Sequence, residues 1–392
     1  MSDPAPVRRV RVRAGALVLA FAALLTFNVT TAGDRQSPLG RAQTSPPPTI
    51  SDPMSAPLPD QIAVPPGPAQ DPKELASWMT MTSSSLDRTT LSAEGVVVPA
   101  GANVFAARIV DGGPSPAYML YEAGGGAFTT EFYPASSIKV LAAVGALELA
   151  HASGLTGEAS VDGSFTLAEY YDAAVRYSSN EDYDTLVRLA GVAWLNEEFL
   201  PSRGYRSTRI QEAYAGGDGV RESPVVHLAE DGREVTFPER IGSDDYGCAG
   251  SNCSTLFELV DSVRRVVLND ELAPEERFDI APTDVAGLQE ALLSAASWIG
   301  PGVEEALGSD AVVYSKPGWT TGLDCVDVAL VVDEDASHRY LIGVSAPDDG
   351  ECAMLATMAS EVLRVLAEDM DGQAVRTDGS WVEVVDGRQR AS

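Results

Sequence analysis

Lysine is scarce in this 392-residue chain, which has only three lysines among its 27 lysine and arginine residues. They are Lys73, Lys139 and Lys316. Arginine stays protonated at any working pH, whereas a partly buried lysine can lose its proton and act as a base. Lys139 stands near the start of an Ala-, Leu- and Val-rich run that ends at Ala150. A lysine kept in such surroundings suggests proton chemistry.

Positive charge is short overall, since 57 acidic residues give a formal net charge of −30. Such a chain repels phosphate, which argues against a nucleic-acid or anionic-membrane surface. The 45% of hydrophobic residues are enough for a substantial core, in one large domain or two ordinary ones.

Histidine is equally rare, with only His151, His227 and His338, all in polar contexts. The chain also has no G-x-S-x-G sequence. Both absences argue against a Ser-His-Asp esterase.

The four cysteines are Cys248, Cys253, Cys325 and Cys352, and three pairings into two disulfides are possible. We favour Cys248 with Cys253, which share a short loop, and Cys325 with Cys352, which flank strands expected to lie side by side. Zinc binding is the alternative, but the spacings fit no zinc signature and no histidine accompanies them. We therefore expect no metal.

The N-terminus has the form of an export signal. Four arginines between residues 8 and 13 precede an apolar run at 14–27, and small residues end at Ala32. Residues 1–32 are interpreted as a cleaved signal peptide or an uncleaved membrane anchor, although the run is short for a span of about 20 residues. Residues 33–71 read as a Pro-rich, disordered linker, 72–370 as the folded domain and 371–392 as a polar tail.

Local patterns predict the elements of that domain. Helices are expected at 72–84, from Ser136 to Ala150, and at 166–176, 182–190, 254–268, 284–297 and 351–368. Strands are expected at 104–110 and 117–122, forming a hairpin, and at 311–315, 325–332 and 340–345. Residues 211–245 form an insertion to which no structure is assigned.

This order predicts an α+β fold. Two early and three late strands must share one antiparallel sheet of about five strands, flanked by terminal helices. The helices between them form a mainly helical subdomain. We expect a cleft where the two parts meet.

Three short polar patterns occur once each: Ser136-Ser137-Ile138-Lys139, Ser178-Ser179-Asn180 and Lys316-Pro317-Gly318. Singly they are weak, because a serine or asparagine at a helix start is usually a cap. In combination they are stronger, because two of the three lysines fall on them. The i, i+3 spacing also places Lys139 within reach of the Ser136 hydroxyl.

In this order the three motifs resemble the penicillin-binding protein and class A β-lactamase superfamily of serine acyl-enzymes, over about residues 72–370. The resemblance implies a β-lactamase/transpeptidase-like fold, an exported serine hydrolase, and β-lactams or peptidoglycan-type peptides as substrates. It implies no cofactor. We expect a monomer that binds no nucleic acid and whose N-terminal segment could anchor it to a membrane.

The resemblance also assigns roles. Ser136 would be the nucleophile, Lys139 its base, and Ser178 the proton relay to the leaving nitrogen. Asn180 would hold the substrate amide and Lys139, and Lys316 would attract a substrate carboxylate. The backbone N–H groups of Ser136 and Trp319, the latter following Gly318, would form the oxyanion hole.

Two features depart from the family pattern. Pro317 replaces the usual Thr or Ser, so Thr320 or Thr321 would have to supply the hydroxyl. The E-x-x-L-N sequence that holds the deacylating glutamate is missing, and Glu212, with Glu222 beyond it, stands at about that place in the order. Without a positioned base the acyl-enzyme persists. The alternative function is a catalytically degenerate domain that binds cell-wall fragments or a protein partner.

Overall fold

The computed structural model of the chain describes residues 91, 96–110, 116–124, 126–216, 220–243, 245–321, 324–334, 338–347, 352–368, 373–375, 381–385 and 388–389. Contacts divide the chain into units of residues 1–61 and 62–392, and every described residue belongs to the second. The predicted signal segment, linker and first helix lie outside the described residues, so those interpretations remain predictions.

The described elements are dominated by long strands and helices. The strands are β1 (Asn103–Val110), β2 (Ala117–Ala123), β3 (Ser160–Val161), β4 (Glu222–Ser223), β5 (Val226–Glu230), β6 (Arg233–Phe237), β7 (Arg240–Ile241), β8 (Val312–Trp319), β9 (Asp324–Val332), β10 (Arg339–Pro347), β11 (Gln373–Val375), β12 (Trp381–Val385) and β13 (Arg388–Gln389). The α-helices are α1 (Lys139–Ala152), α2 (Leu167–Arg176), α3 (Asn180–Ala190), α4 (Val192–Trp194), α5 (Leu200–Ser202), α6 (Leu256–Val267), α7 (Pro282–Ser294), α8 (Gly300–Leu307) and α9 (Met354–Glu368). A π-helical turn joins α4 to α5, and 3-10 turns lie at Ala135–Ile138, Cys248–Gly250, Asn269–Glu271 and Pro274–Glu276.

The main sheet has five antiparallel strands in the order β2-β1-β10-β9-β8. Strand β1, which precedes the helical part, pairs with β10, which follows it, so Phe105 lies opposite Gly343. This confirms the predicted α+β fold, with one sheet assembled from both ends of the domain. Strand β8 is an edge strand, which leaves one side of its backbone open to a ligand.

The sheet separates two apolar cores, because successive side chains of a strand point to opposite faces. On one face Phe105 packs edge-on to Phe257 of α6, with ring centroids 5.5 Å apart. On the other, Val104 joins a cluster with Leu355 and Leu363 of α9. The helical layer and the terminal helix are therefore held apart by the sheet.

Helix α1 is the centre of the helical part. Residues Lys139 to Ala150 are all buried, and the helix packs against α2, α3 and α6. By length and composition Ala135–Ala152 could cross a membrane, but 78% of this stretch is buried inside the fold. It is the core helix of this domain.

The predicted elements recur within a few residues of their expected ends, and three features differ. Residues 316–319, expected to follow a strand, belong to β8, because pairing with β9 extends the strand through Lys316, Pro317 and Gly318. The insertion at 211–245 carries the short strands β4 to β7. Helix α8 has only eight residues and begins Gly-Pro-Gly, too short and too unfavourable a pattern to predict.

Both favoured disulfides are present in the structure. Cys248 is bonded to Cys253 within one loop, and Cys325 of β9 to Cys352, just before α9. The second bond ties the terminal helix to the sheet.

A buried ionic cluster joins α6 to the sheet. The Asp261 carboxylate accepts hydrogen bonds from Arg264 Nε and Arg265 Nε, each at 2.7 Å, and Arg264 Nη1 donates to the Tyr118 hydroxyl of β2 at 3.0 Å. Burial works to raise the pKa of Asp261, but the two guanidinium groups outweigh it and hold that pKa below its usual value. The carboxylate is therefore charged at neutral pH and offsets one of the two positive charges of the arginines.

Replacing this carboxylate should strongly destabilise the fold. Asp261→Asn removes the carboxylate that both buried guanidinium groups share, and the Glu276 carboxylate lies farther away, 3.7 Å from Arg264 Nη1. We therefore expect the free energy of unfolding to fall by about 3–5 kcal/mol at neutral pH in urea titrations. The matched control is Asp172→Asn, which breaks the half-exposed pair of Asp172 with Arg176 (2.7 Å). That loss should stay under about 1 kcal/mol. Equal losses in the two variants would contradict the importance of the buried cluster.

Candidate active site

The first motif forms a tight turn at the start of α1. Ser136 lies in the 3-10 turn Ala135–Ile138. The first residue of this turn, Ala135, has a left-handed backbone conformation with a φ of +45°. Ser136 is half-buried, whereas Ser137 is buried and its hydroxyl donates to the Pro134 carbonyl at 2.5 Å. The α-helix itself begins only at Lys139, which corrects the expectation that Ser136 is its first residue. In a 3-10 turn residues i and i+3 are eclipsed, so Ser136 and Lys139 still share one side.

Lys139 is fully buried and bonded to the second motif. Its Nζ donates to the Ser178 carbonyl at 2.6 Å and to Asn180 Oδ1 at 2.7 Å. The rings of Tyr183 and Tyr214 lie beside the amine, with centroids 5.8 and 5.6 Å from Nζ. Two hydrogen bonds and two aromatic rings therefore fix the position of this amine.

Burial lowers the pKa of Lys139 to about 7 from 10.5, because a charged amine is costly where water is excluded. The carboxylates of Asp184, Glu181 and Asp182 oppose this shift and favour the charged form. At neutral pH a large fraction of Lys139 is therefore neutral and can accept a proton.

Ser178 lies between α2 and α3, as predicted, in a left-handed conformation with φ +59°. Such a conformation is strained for serine and is often found at functional sites. The cap of α3 is the neighbouring Ser179, whose hydroxyl accepts from the Asp182 N–H at 3.3 Å. A capping role for Ser178 is thereby excluded, and its hydroxyl faces the third motif.

Lys316 reaches the same serine from the sheet. It is buried on β8, and its Nζ donates to Ser178 Oγ at 3.0 Å and to the Pro317 carbonyl at 3.1 Å. Burial and the nearby charge of Lys139 lower the pKa of Lys316 to about 7, against a smaller opposing effect of Asp327. Two of the chain's three lysines thus meet at one serine.

Gly318 allows β8 to touch the Ser136 turn. A Cβ atom at this position would lie 2.5 Å from the Pro134 carbonyl oxygen and 2.9 Å from the Ser137 nitrogen. These are backbone atoms and cannot turn aside. The next residue, Trp319, ends the strand with its side chain 43% exposed. Pro317 has no N–H to donate, which an edge strand tolerates.

A cleft of about 550 Å³ opens beside the segment that leads into the Ser136 turn. Its lining comes from the segment before Ser136, the segment around Glu212, the disulfide loop and the end of β8. The residues are Glu131, Phe132, Tyr133, Glu212, Cys248, Ser251, Asn252, Cys253 and Thr320. Thr320 and Glu212, both singled out in the sequence, therefore line one cavity, whereas Ser136, Ser178 and the two buried lysines are not among its lining residues.

Glu212 is turned toward the disulfide loop, where its carboxylate accepts from the Asn252 N–H at 3.4 Å. The residue beside Lys139 in this segment is Tyr214, whose hydroxyl donates to the Ala135 carbonyl at 2.8 Å. Glu222 is exposed on β4. Glu212 is thus placed in the cleft but not hydrogen-bonded to the amine.

Sequence reasoning missed Tyr183, Tyr214, Asn252 and Asp327. Asp327 is buried and accepts from Ser315, Ser297 and two backbone N–H groups, of Trp298 and Ile299. The sequence did offer one signal for Asp327, because a carboxylate inside the apolar run of β9 is unusual. The two tyrosines and Asn252 gave none, because only the folded chain brings them together.

Comparison with known proteins finds likeness in structure alone. No family model matches the chain, and no curated protein matches it. A serine-to-glycine variant of the TLA-1 extended-spectrum β-lactamase superposes with a TM-score of 0.50 at 13% identity, covering 71% of this chain and 97% of the other. A variant of the last common ancestor of Gram-negative bacteria class A β-lactamase gives 0.50 at 17%, covering 72% and 98%.

A PBP-A variant in an acyl-enzyme complex with penicillin G gives a TM-score of 0.47 at 13% identity, covering 74% of this chain and 96% of the other. At these identities the likeness defines the fold. The chain has the fold of class A β-lactamases, which confirms at that level the resemblance drawn from the three motifs.

The close approach at Gly318 can be tested by its methyl variant. In Gly318→Ala the new atom must push β8 from the Ser136 turn, so we expect the free energy of unfolding to fall by about 1–3 kcal/mol in urea titrations. Gly300→Ala is the matched control, because its Cβ would have its nearest neighbour at 3.5 Å. Wild-type stability in Gly318→Ala would show that the turn and strand do not need this contact.

Proposed function

We propose that this chain is an exported serine hydrolase of the β-lactamase and penicillin-binding type, which forms an acyl-enzyme on Ser136. Its substrates would be β-lactams or peptidoglycan-type peptides. The observation that carries the proposal is the meeting of Lys139 and Lys316 at Ser178, with contacts of 2.6 and 3.0 Å. Two buried amines held at one serine, Lys139 on its backbone carbonyl and Lys316 on its hydroxyl, support a chemical role for the site.

In the proposed reaction the Ser136 hydroxyl oxygen attacks the substrate carbonyl carbon, and its proton passes to neutral Lys139. Lys316 donates a hydrogen bond to Ser178 Oγ, which leaves the Ser178 hydroxyl proton free for donation. Ser178 gives that proton to the leaving nitrogen as the C–N bond breaks, and Lys139 restores it. An ester on Ser136 remains.

The oxyanion would be held by the backbone N–H groups of Ser136 and Trp319. Gly318 supports this assignment, because it brings β8 into contact with the Ser136 turn. Each such donor can contribute about 3 kcal/mol to the transition state. Asn180 holds Lys139 and would orient the substrate amide.

Deacylation needs a second base that activates water. The residue beside Lys139 is a tyrosine, and Glu212 is bonded to the Asn252 N–H. We therefore infer that the acyl-enzyme is long-lived and that β-lactams inhibit the protein more readily than they are destroyed.

The disulfides Cys248–Cys253 and Cys325–Cys352 are compatible with an oxidising compartment outside the cytoplasm. Together with the arginine-rich, apolar N-terminus, they support secretion or anchoring by that segment. A peptidoglycan-type substrate would be met in the same compartment.

Labelling with penicillin tests the nucleophile. Incubation of the full chain should give one covalent adduct per protein, mapped by mass spectrometry to Ser136 and persisting after the free drug is removed. Ser136→Ala should abolish it. Lys139→Arg should lower the labelling rate by at least about 100-fold, because arginine cannot accept the proton.

Each other outcome has a definite meaning. No adduct in the wild type after prolonged incubation would contradict the proposal and favour a catalytically degenerate binding domain. Pro317 and the missing glutamate are the features that support that alternative. Rapid turnover of a chromogenic cephalosporin would overturn the inference about deacylation. Full labelling of Lys139→Arg would exclude the lysine as base.

The pH dependence of labelling tests both amines. Acylation needs neutral Lys139, so the labelling rate should rise as the pH increases through the pKa of Lys139. It also needs protonated Lys316, so the rate should fall as the pH increases through the pKa of Lys316. Both are lowered to about 7, which predicts a narrow bell with its maximum near neutrality. Lys316→Arg keeps the charge and should remove the alkaline limb. An alkaline limb retained in Lys316→Arg would show that Lys316 does not cause it.

A further inference from the structure

Asn252 is a buried amide in the disulfide loop, and all its hydrogen-bonding groups are used. Its Oδ1 accepts from the backbone N–H groups of Gln211 at 2.7 Å and Glu212 at 3.0 Å. Its Nδ2 donates to the Tyr183 hydroxyl at 3.0 Å and to the Glu212 carbonyl at 3.3 Å. One side chain therefore joins the segment at 211–212 to α3.

Asn252 holds the backbone at residues 211–212, and the same segment carries Tyr214, whose ring lies beside the Lys139 amine. Two residues after Glu212, Tyr214 stacks on Tyr183 with centroids 4.5 Å apart and an interplanar angle of 22°. Both rings lie beside the Lys139 amine. The Tyr183 hydroxyl also donates to the Glu212 carbonyl at 3.2 Å. Asn252 thus contacts one ring directly and fixes the backbone that leads to the other.

We propose that Asn252 is a positioning residue for the reaction at Ser136: it holds the Tyr183–Tyr214 pair over Lys139 and so keeps water from the base. The proposal rests on the proposed function for its consequence, a slower acylation when the pair is released. It does not require Asn252 to touch substrate.

Exclusion of water is what makes Lys139 a base, because burial is the largest cause of its lowered pKa. Around the amine, the other charged or titratable groups are Asp184, Glu181, Asp182 and Tyr183 of α3, Lys316 of β8, and Tyr214. The three carboxylates favour the protonated amine. Water entering between the rings and Lys139 would therefore raise its pKa toward 10.5, with the carboxylates adding to that rise.

The Cys248–Cys253 disulfide in turn fixes the loop that presents Asn252. Gln211 bridges to that loop, since its Nε2 donates to the carbonyls of Gly247 at 2.6 Å and Ser251 at 2.9 Å. Cys253 also pairs with Arg209 through a two-residue β-bridge. Opening the disulfide should therefore weaken the same restraint on Tyr214 without altering any group that contacts Lys139.

The scarcity of lysine makes a direct measurement possible. Full-length chain grown with 13C-lysine gives one side-chain Cε signal from each of its three lysines, which Lys73→Arg and Lys316→Arg assign. In Asn252→Ala we expect the titration midpoint of Lys139 to rise by about one unit or more from the wild-type value. The acid limb of penicillin labelling should shift by the same amount, with a rate about tenfold lower at neutral pH.

Two controls separate positioning from general destabilisation. Asn269→Ala removes another buried asparagine, whose Nδ2 donates to the Phe278 carbonyl at 3.4 Å. It should leave the Lys139 midpoint unchanged. Replacing Cys248 and Cys253 with serine should raise the midpoint, whereas replacing Cys325 and Cys352 should not. This second pair keeps the proposal testable even where Asn252→Ala does not fold.

An unchanged Lys139 midpoint in Asn252→Ala, or in the Cys248 and Cys253 double variant, would overturn the proposal. It would mean that Tyr214 is held well enough by the hydrogen bonds that the Asp184 carboxylate accepts from the backbone N–H groups of Tyr214 (2.7 Å) and Ala215 (3.1 Å). A wild-type chain that never reacts with penicillin contradicts the proposed function instead, and the lysine titration still tests the role of Asn252.

Discussion

Exclusion of water from two amines at one serine is the constraint on which the site depends. Lys139 and Lys316 both bond to Ser178, and at that proximity two full positive charges repel strongly in a medium poorer in water than the surface. The pair therefore carries less than two charges near neutrality. In the proposed function, Lys139 would accept a proton while Lys316 attracts an anion, so a single arrangement would supply both chemistries.

The fold bears a cost for this arrangement. An amine whose pKa is lowered by folding destabilises the protein most at pH values below the folded pKa, and this cost falls as the pH rises toward the unfolded value. The strained backbone of Ser178 adds to it. Opposing these are two apolar cores, the Asp261 cluster and a disulfide that ties α9 to the sheet.

The sequence predicted the sheet and most helices, because periodicity and strand order constrain them strongly. The three motifs, taken together, predicted that Lys139, Ser178 and Lys316 lie close to one another, and both lysines contact Ser178 in the structure. The sequence could not predict that β8 runs through Lys316 and Gly318, because pairing with β9 overrides their weak strand preference. Tyr214 and Asn252 were beyond reach, since their contacts join segments with no shared pattern.

In the proposed function, the groups around Lys139 would also decide which half of the hydrolytic cycle is faster. The aromatic rings exclude water from the amine and thereby favour its neutral form, which would accept the proton during attack on a carbonyl. In the segment where a water-activating glutamate was sought, the residue beside the amine is Tyr214, and the Glu212 carboxylate accepts from the Asn252 N–H instead. A carboxylate in place of Tyr214 would stabilise the ammonium of Lys139 and weaken it as a base. In the proposed function, rapid acylation and slow deacylation would both follow from one packing arrangement, in which two tyrosine rings lie beside the amine of Lys139.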